Sequence, residues 1–168
     1  MKNILLSGQP GVGKTTLIMK ILAELPFKAR GFYTQEIREK GMRKGFKIRT
    51  LDGREGVLAH VDSPSSQRVS KYGVNVEEFE KIGVKVLEEA LEQGSAVVID
   101  EIGKMELYSK RFRETLLKVL DRSPLVIATI GQQREPFIER VKSRTDVAIL
   151  AVTLENRDSL VDRVKELV

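Results

Sequence analysis

Gly8-Gln9-Pro10-Gly11-Val12-Gly13-Lys14-Thr15-Thr16 follows directly on the apolar run Ile4-Leu5-Leu6. A glycine, four residues, a second glycine, lysine and a hydroxyl residue form the pattern of a loop that wraps a nucleotide's phosphates. Gly8, Gly11 and Gly13 lack a Cβ, so backbone N–H groups there can turn inward and approach an anion. A helix starting at Lys14 adds unpaired N–H groups and the positive end of its dipole. In such a loop Lys14 is placed to reach the β and γ phosphates and to act in catalysis. Thr15 offers its hydroxyl to Mg²⁺, and Thr16 meets the α-phosphate. Gln9, Pro10 and Val12 complete the nucleotide-binding stretch.

The second constellation is "VVIDEIGKMEL", an apolar run ending in two acids. At the C-terminal end of a buried strand, Asp100 lies on the sheet edge where α/β folds bind ligands. There it would hold Mg²⁺, through one of the ion's waters. Glu101, next to it, can orient a water in line with the γ-phosphate and take its proton, which favours hydrolysis. Lys104 could reach the phosphates or pair with Glu101, or be a solvated turn residue, while Met105 and Leu107 read as packing residues. Thr129, near the end of the apolar run "PLVIATI", is a candidate sensor of the γ-phosphate. Arg134 is a candidate transition-state contact, with Arg140, Arg144 and Arg157 as rivals.

These groups need elements to carry them. "KNILLSG" reads as a buried strand, and Leu17, Ile18, Ile21, Leu22 and Leu25 recur on one face of a helix that Pro26 ends. Three strand-like pieces follow at 31–39, 44–51 and 55–61, joined by "KGMRKG" and the turn signal Asp52-Gly53. They predict an antiparallel β meander inserted at 31–61. Residues 62–75 are rich in turn formers and predict a loop, and a helix capped by Gly94 follows. After it come "SAVVID" as a central strand, a helix capped by Ser109, the strand "PLVIATI", a short helix "PFIERVKSR", the strand "DVAILAVT" and a closing helix from "ENRDS" onward. The alternation predicts an α/β fold, a mainly parallel sheet with helices on both faces, over a single domain of residues 1–168.

Composition narrows the classes. The 168 residues carry 41% hydrophobic and 32% charged side chains, which suits a soluble core-forming chain. No apolar stretch approaches the roughly 20 residues of a membrane span, so no membrane partner is expected. The first apolar run is too short for a signal peptide's apolar region, so a cytoplasmic location is expected. With no cysteine and one histidine, thiolate or imidazole metal sites are disfavoured, and His60 reads as a loop or strand-end residue. A formal charge of +5 suits nucleotides or nucleic acid, although the basic residues of 38–49 alternate with others as in a solvated hairpin.

Taken together, "GQPGVGKTT", "GFYTQEIRE", "GFKIRTLDGREG", "SKYGVNVEEFE", "VVIDEIGKMEL" and "FIERVKSRTDVAILAVTLENRDSL" resemble the THEP1 family of nucleoside triphosphatases over nearly the whole chain. The resemblance implies a three-layer P-loop NTPase fold related to RecA and AAA-type ATPases. It also implies Mg²⁺-dependent hydrolysis of ATP, GTP and other nucleoside triphosphates, CTP and UTP included. The phosphate loop falls on residues 8–15 and the acid pair on Asp100 and Glu101.

Two other functions share these motifs. A nucleotide or small-molecule kinase would need an arginine-rich lid, for which "RVKSR" is short. A nucleic-acid-stimulated ATPase would be served by the basic hairpin, but only Phe32, Tyr33 and Phe46 stand near its charges, and Phe32 and Phe46 are expected in the core. No guanine-reading motif is present, so loose base selectivity is expected. Oligomeric state is not readable.

Overall fold

The structure, a computed structural model, describes residues 2–168. Nine strands form one mixed sheet: β1 (Asn3–Ser7), β2 (Ala29–Glu39), β3 (Met42–Thr50), β4 (Glu55–His60), β5 (Arg68–Val69), β6 (Tyr72–Val74), β7 (Ala96–Ile102), β8 (Val126–Ile130) and β9 (Val147–Ala151). Their spatial order is β5-β6-β4-β3-β2-β7-β8-β1-β9. From β2 to β9 neighbouring strands run parallel, and from β3 to β5 the additions are antiparallel. The parallel strands β1, β7 and β8 are buried on both faces, which accounts for their unbroken apolar sequence.

Helices cover both faces. On one side α1 (Lys14–Glu24) and α6 (Leu160–Leu167) pack Leu17, Ile18, Ile21, Val161 and Val164 against Ile4, Leu6, Val98 and Ile127. The opposite core joins α3 (Lys85–Gln93), α4 (Lys110–Arg122) and α5 (Pro136–Lys142) to Leu5, Ile99 and Ala128. At its centre Phe32, Phe79 and Phe112 meet edge to face, with ring centroids 5.3–6.3 Å apart. This is the three-layer arrangement expected from the strand–helix alternation.

Several elements differ from the sequence reading. The piece at 31–39 is not only the first arm of a meander: β2 starts at Ala29 and pairs residues 29–32 in parallel with β7 before its outer half pairs antiparallel with β3. One strand therefore belongs to both parts of the sheet. The meander also reaches past 61, because β5 and β6 lie within the stretch read as a loop. Tyr72, Gly73 and Val74 are buried there despite their turn-rich surroundings. The helix after them is α2 (Val76–Phe79), a wide π-helical turn (Glu80–Val84) and α3 in sequence, ending at Gly94. Ser109 caps α4 as expected, its hydroxyl accepting the Phe112 N–H at 2.9 Å. The closing helix begins only at Leu160, because Asn156 folds the residues before it into a turn. Phe46 is half-buried beside Tyr72 rather than in the deep core, whereas Phe32 is fully enclosed. Among the described residues no helix is long and apolar enough to cross a membrane.

Candidate active site

The loop at residues 8–13 connects β1 to α1 at the C-terminal edge of the parallel strands. Gly13 stands at φ 100° and ψ 27°, a left-handed conformation that costs a side-chain-bearing residue energy and glycine almost none. The first helical bond runs from Leu17 N–H to Gly13 O at 2.9 Å, so the N–H groups of Lys14, Thr15 and Thr16 lie outside the helical ladder. No acidic residue occupies that first turn to compete for an incoming anion. Lys14 reaches back across the loop, its Nζ donating to Gly8 O at 2.5 Å.

The sheet brings the second constellation beside this loop. β8 lies between β1 and β7, with Leu6 and Thr129 in register. Between β7 and β8 the pairing slips from Ile99–Ala128 to Ile102–Ile130, so Asp100 and Glu101 together stand opposite Thr129. Such a bulge re-aims side chains that a regular strand would send to opposite faces. Asp100 is buried and accepts two hydroxyl bonds: Thr15 Oγ1 donates to Oδ2 at 2.6 Å, and Thr129 Oγ1 to Oδ1 at 2.7 Å. Burial raises its pKa, while those two bonds and the Lys14 charge oppose the rise. Among the described residues no group of three or more His, Cys, Asp or Glu could hold a metal ion. The Thr15 hydroxyl and the Asp100 carboxylate are neighbouring oxygens at the mouth of the phosphate loop.

Glu101 is half-buried, and its pKa is raised by burial and by the charge of Asp100, against the pull of Lys14. Its side chain lies over Gly103, where an added Cβ would come within 2.5 Å of Oε1. The sequence reading left Glu106 without a role. It is fully enclosed, its Oε2 has no hydrogen-bond partner, and burial and then the charge of Glu101 push its pKa well up. The sequence signal was available: an acid on the apolar side of "KMEL", between two packing residues.

The remaining candidates are dispersed. Thr129 is fully buried and directed at Asp100. Lys104 is exposed and faces a separate cavity of about 590 Å³ with Arg68, Tyr108, Arg113 and Glu135. Arg134 is exposed in the loop after β8, just before Glu135, whose carboxylate caps α5. Arg144 is committed to Asp121 and Asp146, both at 2.7 Å. Arg140 is exposed on α5. Arg157 alone of these arginines touches the phosphate loop, donating to Val12 O at 3.3 Å. In the basic hairpin, Arg38 and Arg43 pair with Glu36, and Lys47 and Arg49 with Glu55. His60 ends β4.

A glycine-rich loop between strand and helix, with an acid-tipped parallel strand two places away, defines the class as a P-loop nucleotide-binding protein. A family model described as NTPase matches residues 3–165, and the chain belongs to that family. It is 52% identical to the nucleoside-triphosphatase THEP1 of Thermotoga sp. (strain RQ2) over 161 residues, 96% of this chain and 92% of that one. Among solved structures, it resembles the crystal structure of THEP1 from Aquifex aeolicus with a TM-score of 0.90 and 35% identity, covering 98% of both chains. It also resembles the solution structure of a human cancer-related nucleoside triphosphatase with a TM-score of 0.83 and 34% identity, covering 99% of this chain and 97% of that one.

Proposed function

We propose that this chain hydrolyses nucleoside triphosphates, ATP, GTP, CTP and UTP alike, to the diphosphate and inorganic phosphate with Mg²⁺ as cofactor. The observation that carries the reading is Asp100 held between Thr15 and Thr129, with Glu101 beside it and the Lys14 loop across from it. Membership of the NTPase family and likeness to proteins named as nucleoside triphosphatases support it.

The loop N–H groups and Lys14 take the phosphates. Thr15 and Asp100 would hold Mg²⁺, which offsets charge on the β and γ phosphate oxygens when bound. Glu101 orients a water against the γ-phosphorus and accepts its proton as the new P–O bond forms. The bond from the γ-phosphorus to the bridging oxygen breaks, and its electron pair leaves with the diphosphate. A carboxylate pushed up by burial is the better base near neutral pH, because proton transfer is most effective when the pKa approaches the working pH. Thr129 fixes Asp100, and Arg134 is free to approach the transferred group from the β8 loop.

The test is phosphate release from the four nucleotides with Mg²⁺. Wild type should hydrolyse all four. Glu101→Ala should lose turnover and keep nucleotide binding, and Lys14→Ala should lose both. A chain idle alone but active on addition of RNA, or of a phosphate-accepting metabolite, overturns the reading in favour of a nucleic-acid-stimulated ATPase or a kinase.

A further inference from the structure

The sheet order gives the bound nucleotide a direction. The acids of β7 and Thr129 of β8 lie on one side of the phosphate loop, and β9 and the turn after it lie on the other. With the γ-phosphate drawn toward Glu101, the nucleoside must leave the loop on the β9 side, past Thr16.

A cavity of about 150 Å³ opens there, bounded by Gly13, Thr16, Leu17, Lys20, Arg157 and Asp158. It is smaller than the roughly 300–1,000 Å³ that encloses a drug-sized ligand, and suits one flat ring system. We propose that this cavity is the nucleobase subsite, with the Arg157 guanidinium stacked on the face of the base.

Arg157 is held there by a built turn. Asn156 brackets residues 151–156: its Oδ1 accepts Thr153 N–H at 2.8 Å and its Nδ2 donates to Ala151 O at 2.8 Å. Arg157 N–H donates to Thr153 O at 3.1 Å, and Val152 N–H ties the turn to Ser7 O at 2.7 Å. The guanidinium lies beside Gly13, where an added Cβ would come within 3.2 Å of one of its nitrogens. A planar cation stacks on any nucleobase, because every base presents a π face. Reading a base edge takes buried polar groups, which reject a ligand that leaves them unpaired. The polar rim here is Lys20 and Asp158, paired at 3.6 Å with side chains 56% and 83% exposed, so water can satisfy both. The subsite therefore binds bases without choosing among them, which gives a physical cause for the loose selectivity proposed above.

The inference rests on the phosphate loop holding a triphosphate, so the experiment measures the two parts separately. Binding of Mg²⁺-tripolyphosphate and of the four Mg²⁺-nucleotides is titrated calorimetrically for wild type, Arg157→Ala and Arg157→Lys. Arg157→Ala should weaken all four nucleotides by a similar factor, roughly 5- to 100-fold, and leave tripolyphosphate unchanged. Arg157→Lys should fall nearer to alanine, because an ammonium lacks the planar face. In wild type, 8-azido-ATP should photolabel Lys20 or residues 153–160, a readout independent of how the variants fold. Equal loss for tripolyphosphate would make Arg157 a phosphate contact or a prop of the loop, and overturn the subsite. So would unchanged nucleotide binding, a loss confined to one base, or labelling elsewhere. Failure of wild type to bind tripolyphosphate would instead overturn the phosphate reading itself.

Discussion

Thr129 donates its hydroxyl to Asp100 Oδ1 at 2.7 Å from a position closed to solvent. Thr129, a candidate γ-phosphate sensor at this strand tip, directs its hydroxyl to the carboxylate. Removing it leaves a buried carboxylate oxygen unpaired, and hydrogen bonds to charged groups are worth about 1.5–3 kcal/mol. Thr129→Val should therefore lower the melting temperature and reduce kcat about tenfold or more, whereas Thr129→Ser should retain most of both. Equal behaviour of the two variants in phosphate release would show that the hydroxyl is not what matters.

Glu101 depends on a neighbour of another kind. An added Cβ at Gly103 would meet its Oε1 at 2.5 Å, its Cγ at 3.0 Å and its Cδ at 3.1 Å. Gly103→Ala should push the carboxylate aside without touching the phosphate loop. A displacement near 1 Å at a reacting group can cost about 10²-fold in rate. The expected result is a fall in kcat with nucleotide affinity retained, read by single-turnover hydrolysis beside equilibrium binding.

How far the site could be read from sequence follows from how tightly chemistry restricts residue type. A phosphate cradle requires Gly8, Gly13, Lys14 and Thr15 in a fixed order, and an acid-tipped strand announces itself at Asp100 because the residues before it are apolar. The helical stripe of Leu17, Ile18 and Ile21 was equally plain, and those three residues are buried. What escaped depends on long-range packing. β5 and β6 are two and three residues long; β6 draws its support from β4, 13 to 15 positions earlier, and β5 pairs with β6, so local composition still reads as loop. Lys104 follows Glu101 closely in sequence, but the turn after β7 carries it into another cavity. Asn156 is not legible as a turn-builder because a side chain that bonds two backbone groups of its own turn, Thr153 N–H and Ala151 O, looks, by type, like any loop asparagine.

Gly31 pairs with Val98 of β7, one residue before Phe32, which pairs with both β7 and β3. Its φ is 143°, and a Cβ there would stand 1.8 Å from Val98 O and 2.8 Å from the carbonyl carbon, both backbone atoms of β7. Neither can swing away as a side-chain tip would. Gly31→Ala should cost about 3 kcal/mol or more, the range of severe backbone conflicts. Urea unfolding of the variant, or its failure to accumulate as folded protein, checks this. A midpoint near wild type would mean that β2 can shift against β7.

Two carboxylates should give the stability opposite responses to pH. Glu106 is enclosed, and its pKa is raised well above 4.5 in the folded chain by burial and by Glu101. The folded state then holds its proton more tightly than the unfolded one, so its contribution is complete below about 4.5 and is lost as pH rises through the raised value. Asp52 is the reverse case. Hydrogen bonds from Arg54 and Thr50 hold its pKa at about 2, against 3.8 unperturbed. Its contribution is present above 3.8 and lost as pH falls through about 2. Because its side chain is 44% exposed, solvent screening keeps that contribution to about 1 kcal/mol or less. Urea titrations across pH separate the two. Glu106→Gln should gain on wild type steadily as pH rises, while Asp52→Asn should trail wild type at neutral pH and converge with it in strong acid. A Glu106→Gln difference that stays flat with pH would mean that the carboxyl titrates alike in the folded and unfolded chain, and so that burial does not raise its pKa.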